Sequence, residues 1–509
     1  MSKLITPISR GYKDVGGESV QAKEVQLDLN LTVSKLPILA FQDRVPRPVE
    51  VARAALYRRY APQLTLNPDL TRRLVSFQAN KQAPFYRWFK FKEAFSLDFV
   101  RYCLDCFRPQ SSFDTPCILD PFAGSGTTLT TAAKAGWYAV GIELLPVAAA
   151  IIRARLLTEK VKVRSFEYHL KRLETFPIYS SLSSTTSFPH LKITQNAFPK
   201  RTEQALSSFT VFLESIQDPD THFLFWFACL CVLEDVSYTR KDGQYLRWDY
   251  RSGKCLKANF HKGTVQEFQS AILSKLRCML EDIKRRDGES LLGKVNLVAG
   301  SCLSELPQLP EESFHLVVTS PPYCNRYDYT RTYALELAYM NYNERAVKDL
   351  RQALLSCTVE NKSKREQLKE AYRSRGRESN YREALTAFEN QEALQEVVML
   401  LYKAREKGEL NNNNLPILVE NYFFEMNLVI RELARLLAPG GGVVMVNDNV
   451  QYMGEEIPVD LVLSDFAAHA GLRVDHIWVL PRGKGNSSQQ MGNFGRNELR
   501  KCVYVWSKP

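Results

Sequence analysis

The strongest constraint on the fold is a glycine-rich turn. Cys117-Ile118-Leu119-Asp120 is a short apolar run ending in a carboxylate, and Pro121-Phe122-Ala123-Gly124-Ser125-Gly126-Thr127-Thr128 follows at once. An apolar run of that length, bounded by turn residues, reads as a buried strand. Gly124 and Gly126 stand where the chain must swing from strand into helix. Glycine tolerates the dihedrals this needs and lets a ligand approach the backbone. The helix should run to about Ala135, with Gly136 stopping it and Tyr138-Ala139-Val140-Gly141-Ile142-Glu143 forming the next strand. Strand, helix and strand in this span make one right-handed crossover of a parallel sheet.

The parallel pattern resumes much later. Val295-Asn296-Leu297-Val298 and Phe314-His315-Leu316-Val317-Val318 are strand-like, and the second runs into Thr319-Ser320-Pro321-Pro322-Tyr323. An amphipathic helix over 422–436, a turn at Ala438-Pro439-Gly440-Gly441-Gly442 and a strand at Val443-Val444-Met445-Val446 follow. Late strands over 473–480 and 501–506 can close the sheet as a hairpin. The expected fold class is α/β: a twisted, mostly parallel sheet with helices on both faces, interrupted by two insertions.

With 509 residues the chain exceeds one compact core. Residues 1–70 read as an N-terminal extension with a helix over 49–60, and 71–165 as the first part of the core. Residues 166–290 hold a Ser/Thr-rich run at 180–187 and a basic, aromatic stretch; they read as an inserted domain. Residues 291–343 return to the core, 344–412 read as a charged, solvent-exposed helical insertion, and 413–509 complete the core.

Lys and Arg outnumber Asp and Glu by 67 to 56, a formal charge of +11, which favours a polyanionic partner. The 11 cysteines include Cys103/Cys106 and Cys229/Cys231 but no second pair at zinc spacing, and the 7 histidines do not cluster. No metal site is expected, and the thiols read as core residues in a reducing compartment. No signal-peptide segment or membrane-length apolar run is visible, so a cytoplasmic protein is expected.

The first motif lacks the third glycine of the dinucleotide fingerprint and the Lys-Ser/Thr pair of a phosphate-binding loop. A methionine-derived cofactor suits it better, because a carboxylate then meets the loop amides. Glu143 ends the second strand, where a carboxylate can accept the ribose hydroxyls. Asp120 to Thr128 with Glu143 resembles the first two motifs of the N4-cytosine and N6-adenine DNA methyltransferases. The aromatic stretch 89–96 is similar to that family's cofactor-side motif, and 482–504 to its late hairpin. The resemblance implies S-adenosylmethionine as cofactor, held by Phe91, Asp120, Phe122, Gly124, Gly126, Thr127, Glu143 and Ser301. Ser301 departs from the family's usual acidic residue at the third strand end.

Ser320-Pro321-Pro322-Tyr323 resembles the same family's catalytic motif. An exocyclic amine is a poor nucleophile until its N–H groups are held by acceptors that bend it toward tetrahedral geometry. The resemblance assigns these acceptors to the Ser320 hydroxyl and the Pro321 carbonyl, with Pro322 stiffening the loop and Tyr323 stacking on the base. The base must then leave the duplex, and transfer is direct. Ser-Pro-Pro-Tyr is the form associated with N4 of cytosine. N6 of adenine, an RNA amino-methyltransferase, and an inactive DNA-binding restriction or defence protein stay open. Cys324 lacks the context of a carbon-5 nucleophile and reads as a bystander. Double-stranded DNA is the expected partner, with a restriction or defence-system partner also in view. Arg326, Arg331, Arg240, Lys241, Arg247, Trp248 and Lys484 are candidate DNA contacts, solvated loop positions being the plain alternative.

Overall fold

The computed structural model describes residues 48–107, 115–179, 188–242, 245–254, 260–285, 291–481 and 499–509. Twelve strands are present among them. In chain order they are β1 (Leu64–Leu66), β2 (Cys117–Asp120), β3 (Tyr138–Glu143), β4 (Thr239–Asp242), β5 (Tyr245–Trp248) and β6 (Val295–Ala299). The others are β7 (Phe314–Thr319), β8 (Leu437–Asp448), β9 (Val450–Tyr452), β10 (Glu455–Ile457), β11 (Arg473–Val479) and β12 (Lys501–Ser507).

Eight of them form one sheet in the order β1-β11-β12-β8-β7-β2-β3-β6. β12 runs antiparallel to β11 and β8, and the other neighbours pair in parallel. The central strands are buried on both faces. Ile118, Leu316, Val318 and Val444 enter one core, while Leu119, Val317, Val443 and Met445 enter the other. That is the period-2 alternation of a sheet covered on both sides. The helices Leu97–Cys106 and Thr127–Lys134 cover the first face; Leu415–Leu436 covers the second.

Strand order reverses between β2 and β7. β3 and β6 lie to one side of β2, whereas β7 and β8 lie to the other. The carboxyl ends at such a switch point leave a crevice, because the helices that follow the two strands depart to opposite faces. Asp120 and Thr319 end those two strands.

Three regions differ from the sequence reading. The helix Val51–Tyr60 lies within the expected N-terminal extension, yet Leu56, Tyr57 and Tyr60 are part of the main core. Its Arg53 is buried between Glu396 at 2.6 Å and Glu455 at 2.8 Å. The three-residue β1 then adds a parallel edge beside β11. Charge density misleads in the region read as solvent-exposed. Its helices Arg365–Ser374, Glu378–Glu389 and Glu392–Glu406 keep Leu368, Tyr372, Phe388, Leu394 and Leu401 buried in the main core, with the charges on their outer faces. Finally, the helices Val163–Glu174, Lys200–Glu214, Pro219–Val232 and Phe268–Lys284 share one apolar cluster with Phe89, Phe91, Val147 and Leu335. They pack directly on the segments around the crevice.

Among the described residues, no helix is long and apolar enough to cross a membrane.

Candidate functional site

The two motifs meet. Thr319 donates its hydroxyl to Asp120 Oδ1 at 2.7 Å, tying the end of β7 to the end of β2. The Thr128 hydroxyl reaches the Val318 carbonyl at 3.2 Å, from the helix that follows the glycine turn. Asp120 Oδ1 also accepts the Phe122 amide at 3.2 Å, an Asx turn that starts the loop. Burial pushes the Asp120 carboxyl up to about 6. Asp120 therefore braces the loop from beneath.

Both loop glycines hold positive φ, +52° at Gly124 and +74° at Gly126. A Cβ on Gly124 would lie 3.3 Å from the Phe91 ring, and one on Gly126 would lie 2.6 Å from Ile152 Cγ1. Behind the loop, the buried Arg155 guanidinium donates to the Ser125 carbonyl and stacks 4.0 Å from the Tyr86 ring centroid. Thr127 is buried, its hydroxyl 3.3 Å from that of Ser125.

Glu143 crosses the loop. Its Oε2 accepts the Gly124 amide and its Oε1 the Leu145 amide, each at 2.6 Å. Desolvation pushes this carboxyl up to about 7 despite those bonds. Two backbone donors fix its plane and leave lone pairs on both oxygens.

A cleft opens over these strand ends. Phe91, Phe122, Gly124, Glu143 and Ser301, expected as cofactor contacts, line it, as do Ser320 and Pro322 of the second motif. Asp120, Gly126, Thr127, Pro321 and Tyr323 are not among the residues that line it. Ser301 donates to the Ala353 carbonyl at 2.9 Å, which draws Leu354 and Leu355 into the wall. The Ser320 hydroxyl points to the Tyr323 hydroxyl at 3.4 Å. Cys324 is buried and its thiol lies well above the usual range, so it carries no nucleophilic thiolate.

Sequence reasoning overlooked several neighbours. Glu93 and Tyr329 line the cleft; Glu93 is the acidic position of the aromatic stretch 89–96, and Tyr329 stands between Arg326 and Arg331. Leu354 and Leu355 come from the far side of the chain and carried no local signal. Lys501, opposite Asp448 in the β12–β8 register, places its ammonium 5.7 Å from the Tyr323 ring centroid.

The candidate DNA contacts divide. Arg326 follows the Ser-Pro-Pro-Tyr loop at φ +65° and touches Asn411 Oδ1 at 3.4 Å. Arg331 pairs with Glu360 at 3.5 Å. Arg240 is exposed on β4; Arg247 pairs with Asp242 at 2.9 Å, and the Trp248 ring lies beneath Lys254 at 4.2 Å. Lys241 does not serve as expected. It is buried, pairs with Glu336, and sits 4.9 and 4.7 Å from the Phe89 and Tyr333 ring centroids. Alternation along β4 turns it inward while Arg240 turns out, so its ammonium is not available to a phosphate. Lys484 lies outside the described residues.

Among the described residues, no group of three or more His, Cys, Asp or Glu side chains is placed to hold a metal ion. No protein-family model matches the chain, and no solved structure does. Curated relatives do. The chain is 43% identical over 464 residues to the type II methyltransferase M.AvaI of Nostoc sp., covering 89% of this chain and 93% of that one. The same figures hold for M.AvaI of Anabaena variabilis. It is 40% identical over 481 residues to the type II methyltransferase M.BsoBI of Geobacillus stearothermophilus, covering 90% and 92%. With similarity of that depth along nearly the whole of each chain, and a glycine turn and a Ser-Pro-Pro-Tyr loop sharing one cleft, the protein belongs to the type II methyltransferases.

Proposed function

We propose that the chain methylates double-stranded DNA at a specific site, using S-adenosylmethionine, and that its target is the exocyclic N4 of cytosine. One observation carries the reading. The carboxyl ends of β2 and β7, each bearing one of the two motifs, are joined by the Thr319–Asp120 hydrogen bond beneath a single cleft.

The residues of the cleft suit the cofactor. The missing side chain at Gly124 leaves room beside Phe91, and Glu143 has acceptor capacity for two ribose hydroxyls. Ile142, Leu144, Leu354 and Leu355 offer an apolar wall near Ser301 for a purine ring. When bound, S-adenosylmethionine supplies an electrophilic methyl group.

The chain's own contribution is placement. In this reading Ser320 gives its hydroxyl proton toward Tyr323 and keeps its lone pairs for one N–H of the target amine. The Pro321 carbonyl, held by two consecutive prolines, takes the other. Oriented acceptors of this kind act by positioning and preorganisation rather than through a covalent intermediate. The cleft lies over the carboxyl ends of central strands, and in this reading a base reaches it by leaving the helical stack. Residues 166–290 are the first choice for reading the target sequence, since the β4–β5 hairpin there exposes Arg240 and Arg247; residues 344–412 are the second. A restriction or defence-system partner accompanies this reading.

The test is transfer of a tritiated methyl group to duplex DNA, followed by nucleoside analysis. N4-methylcytosine is expected. N6-methyladenine as sole product refutes the base assignment, and transfer to RNA in preference to DNA refutes the substrate class. Ser320→Ala should lower kcat by about a hundredfold or more; an unchanged rate sinks the catalytic role given to this loop.

A further inference from the structure

Two carboxylates line the cleft, and the reading above uses only one. The other is Glu93, two residues beyond the ring that packs over Gly124. Its Oε2 accepts the Tyr333 hydroxyl at 2.5 Å, and its Oε1 accepts the Tyr327 hydroxyl. Both donors are neutral phenols, and burial holds both tyrosines well above their usual range, so they donate without neutralising the carboxylate. Among the described residues no Lys, Arg or His forms an ion pair with Glu93. The nearby Lys241 is already paired with Glu336, and Lys92 donates its ammonium to the Lys241 carbonyl at 2.5 Å. A carboxyl group half-sheltered in a cleft, oriented by two hydrogen bonds and ion-paired with no cation among the described residues, is an incomplete site.

The topology fixes which end of a ligand it would meet. Glu143 and Ser301 stand at the ends of β3 and β6, on one flank of the switch point. Glu93 is bonded to Tyr327 and Tyr333, which continue the chain from β7 on the opposite flank. An adenosine with its ribose at Glu143 must therefore extend its other end past Gly124 and Phe91 toward Glu93. The only groups there that call for an anion are cationic, and the terminal one is a primary ammonium. We propose that Glu93 accepts the α-ammonium of the cofactor's amino-acid end and so selects an aminoacyl-bearing adenosine over a bare thioadenosine. This rests on the S-adenosylmethionine reading given above.

A purely structural Glu93 would tie residues 91–93 to 327–333 and do nothing else. Ligand chemistry separates the two roles. Binding of S-adenosylhomocysteine and of 5′-methylthioadenosine, which shares the nucleoside and sulfur but has no amino-acid end, is measured by calorimetry on the full chain. The native protein should prefer the first. Glu93→Gln keeps an acceptor for a phenol but loses the charge. It should weaken S-adenosylhomocysteine by about tenfold to a hundredfold, the range of one charge-assisted bond, and leave 5′-methylthioadenosine within about twofold. Equal weakening of both ligands, or of neither, overturns the proposal. If the variant does not fold, the native chain decides alone: the analogue of S-adenosylhomocysteine that keeps the carboxylate but lacks the α-amino group should bind about tenfold or more weaker, and equal binding overturns it. A native chain that binds none of these adenosines would instead refute the cofactor reading itself.

Discussion

Gly126 and Gly136 provide an internal control for the cost of altering the glycine-rich loop. Both hold positive φ, +74° and +88°. At Gly136 an added Cβ meets nothing within 4 Å, whereas at Gly126 it lies 2.6 Å from Ile152 Cγ1 and 3.3 Å from Ile152 Cδ1. Gly136→Ala should therefore show only the left-handed backbone penalty, about 1–2 kcal/mol. Gly126→Ala adds overpacking against a fully buried isoleucine, about 1–3 kcal/mol more, for a total of about 2–5 kcal/mol. That is a large share of the roughly 5–15 kcal/mol that keeps a typical domain folded. Ile152→Ala removes the colliding atoms, so the clash should vanish in the double variant. A cycle built from Gly126→Ala, Ile152→Ala and both together should show a coupling energy of about 1–3 kcal/mol. Urea unfolding followed by tryptophan fluorescence measures it, with an unchanged slope certifying that midpoints report stability. If Gly126→Ala proves as mild as Gly136→Ala, or if the cycle shows no coupling, the account of this turn is wrong.

Four further outcomes follow from the same geometry. The Glu143 carboxyl sits at about 7, and protonation removes acceptor capacity, so affinity for an adenosine cofactor should fall as pH drops through 7. A tenfold loss between about pH 8 and pH 6 is expected by calorimetry, and a flat profile would contradict a role for ionised Glu143. Thr319→Val strips Asp120 of a buried donor at 2.7 Å and should destabilise by about 1–3 kcal/mol in urea titrations; no loss would mean the two motif strands are not held by this bond. Lys241→Met should destabilise by about 3–5 kcal/mol, because Glu336 is left buried and unpaired, yet leave the salt dependence of DNA binding unchanged. Arg240→Ala should do the reverse, lowering the salt slope by about one if β4 meets a phosphate.

What was legible in the sequence was local. Seven apolar runs, from 117–120 to 501–506, became strands of the main sheet; the central ones are apolar enough to be covered on both faces, while β6 at the edge stays partly exposed. The turn at Gly124 and the Pro-Pro loop could be placed at strand ends for the same reason. Patterns at period 2 and 3.6 report which face of an element is buried, but not what covers it. That is why the charged helices of 365–406 read as solvated when their apolar stripe lies in the core.

Only the tertiary structure decided what stands opposite what. Lys241 and Arg240 are neighbours of the same charge, and no local signal told which one β4 would bury against Glu336. Glu93 became a candidate binding group only when Tyr327 and Tyr333, more than two hundred residues away, closed around it. The chain alone set the two loops and the chemistry each can offer. Sheet order, a non-local property set by how crossovers pack, made β2 and β7 adjacent, and with them a cleft instead of two separate turns.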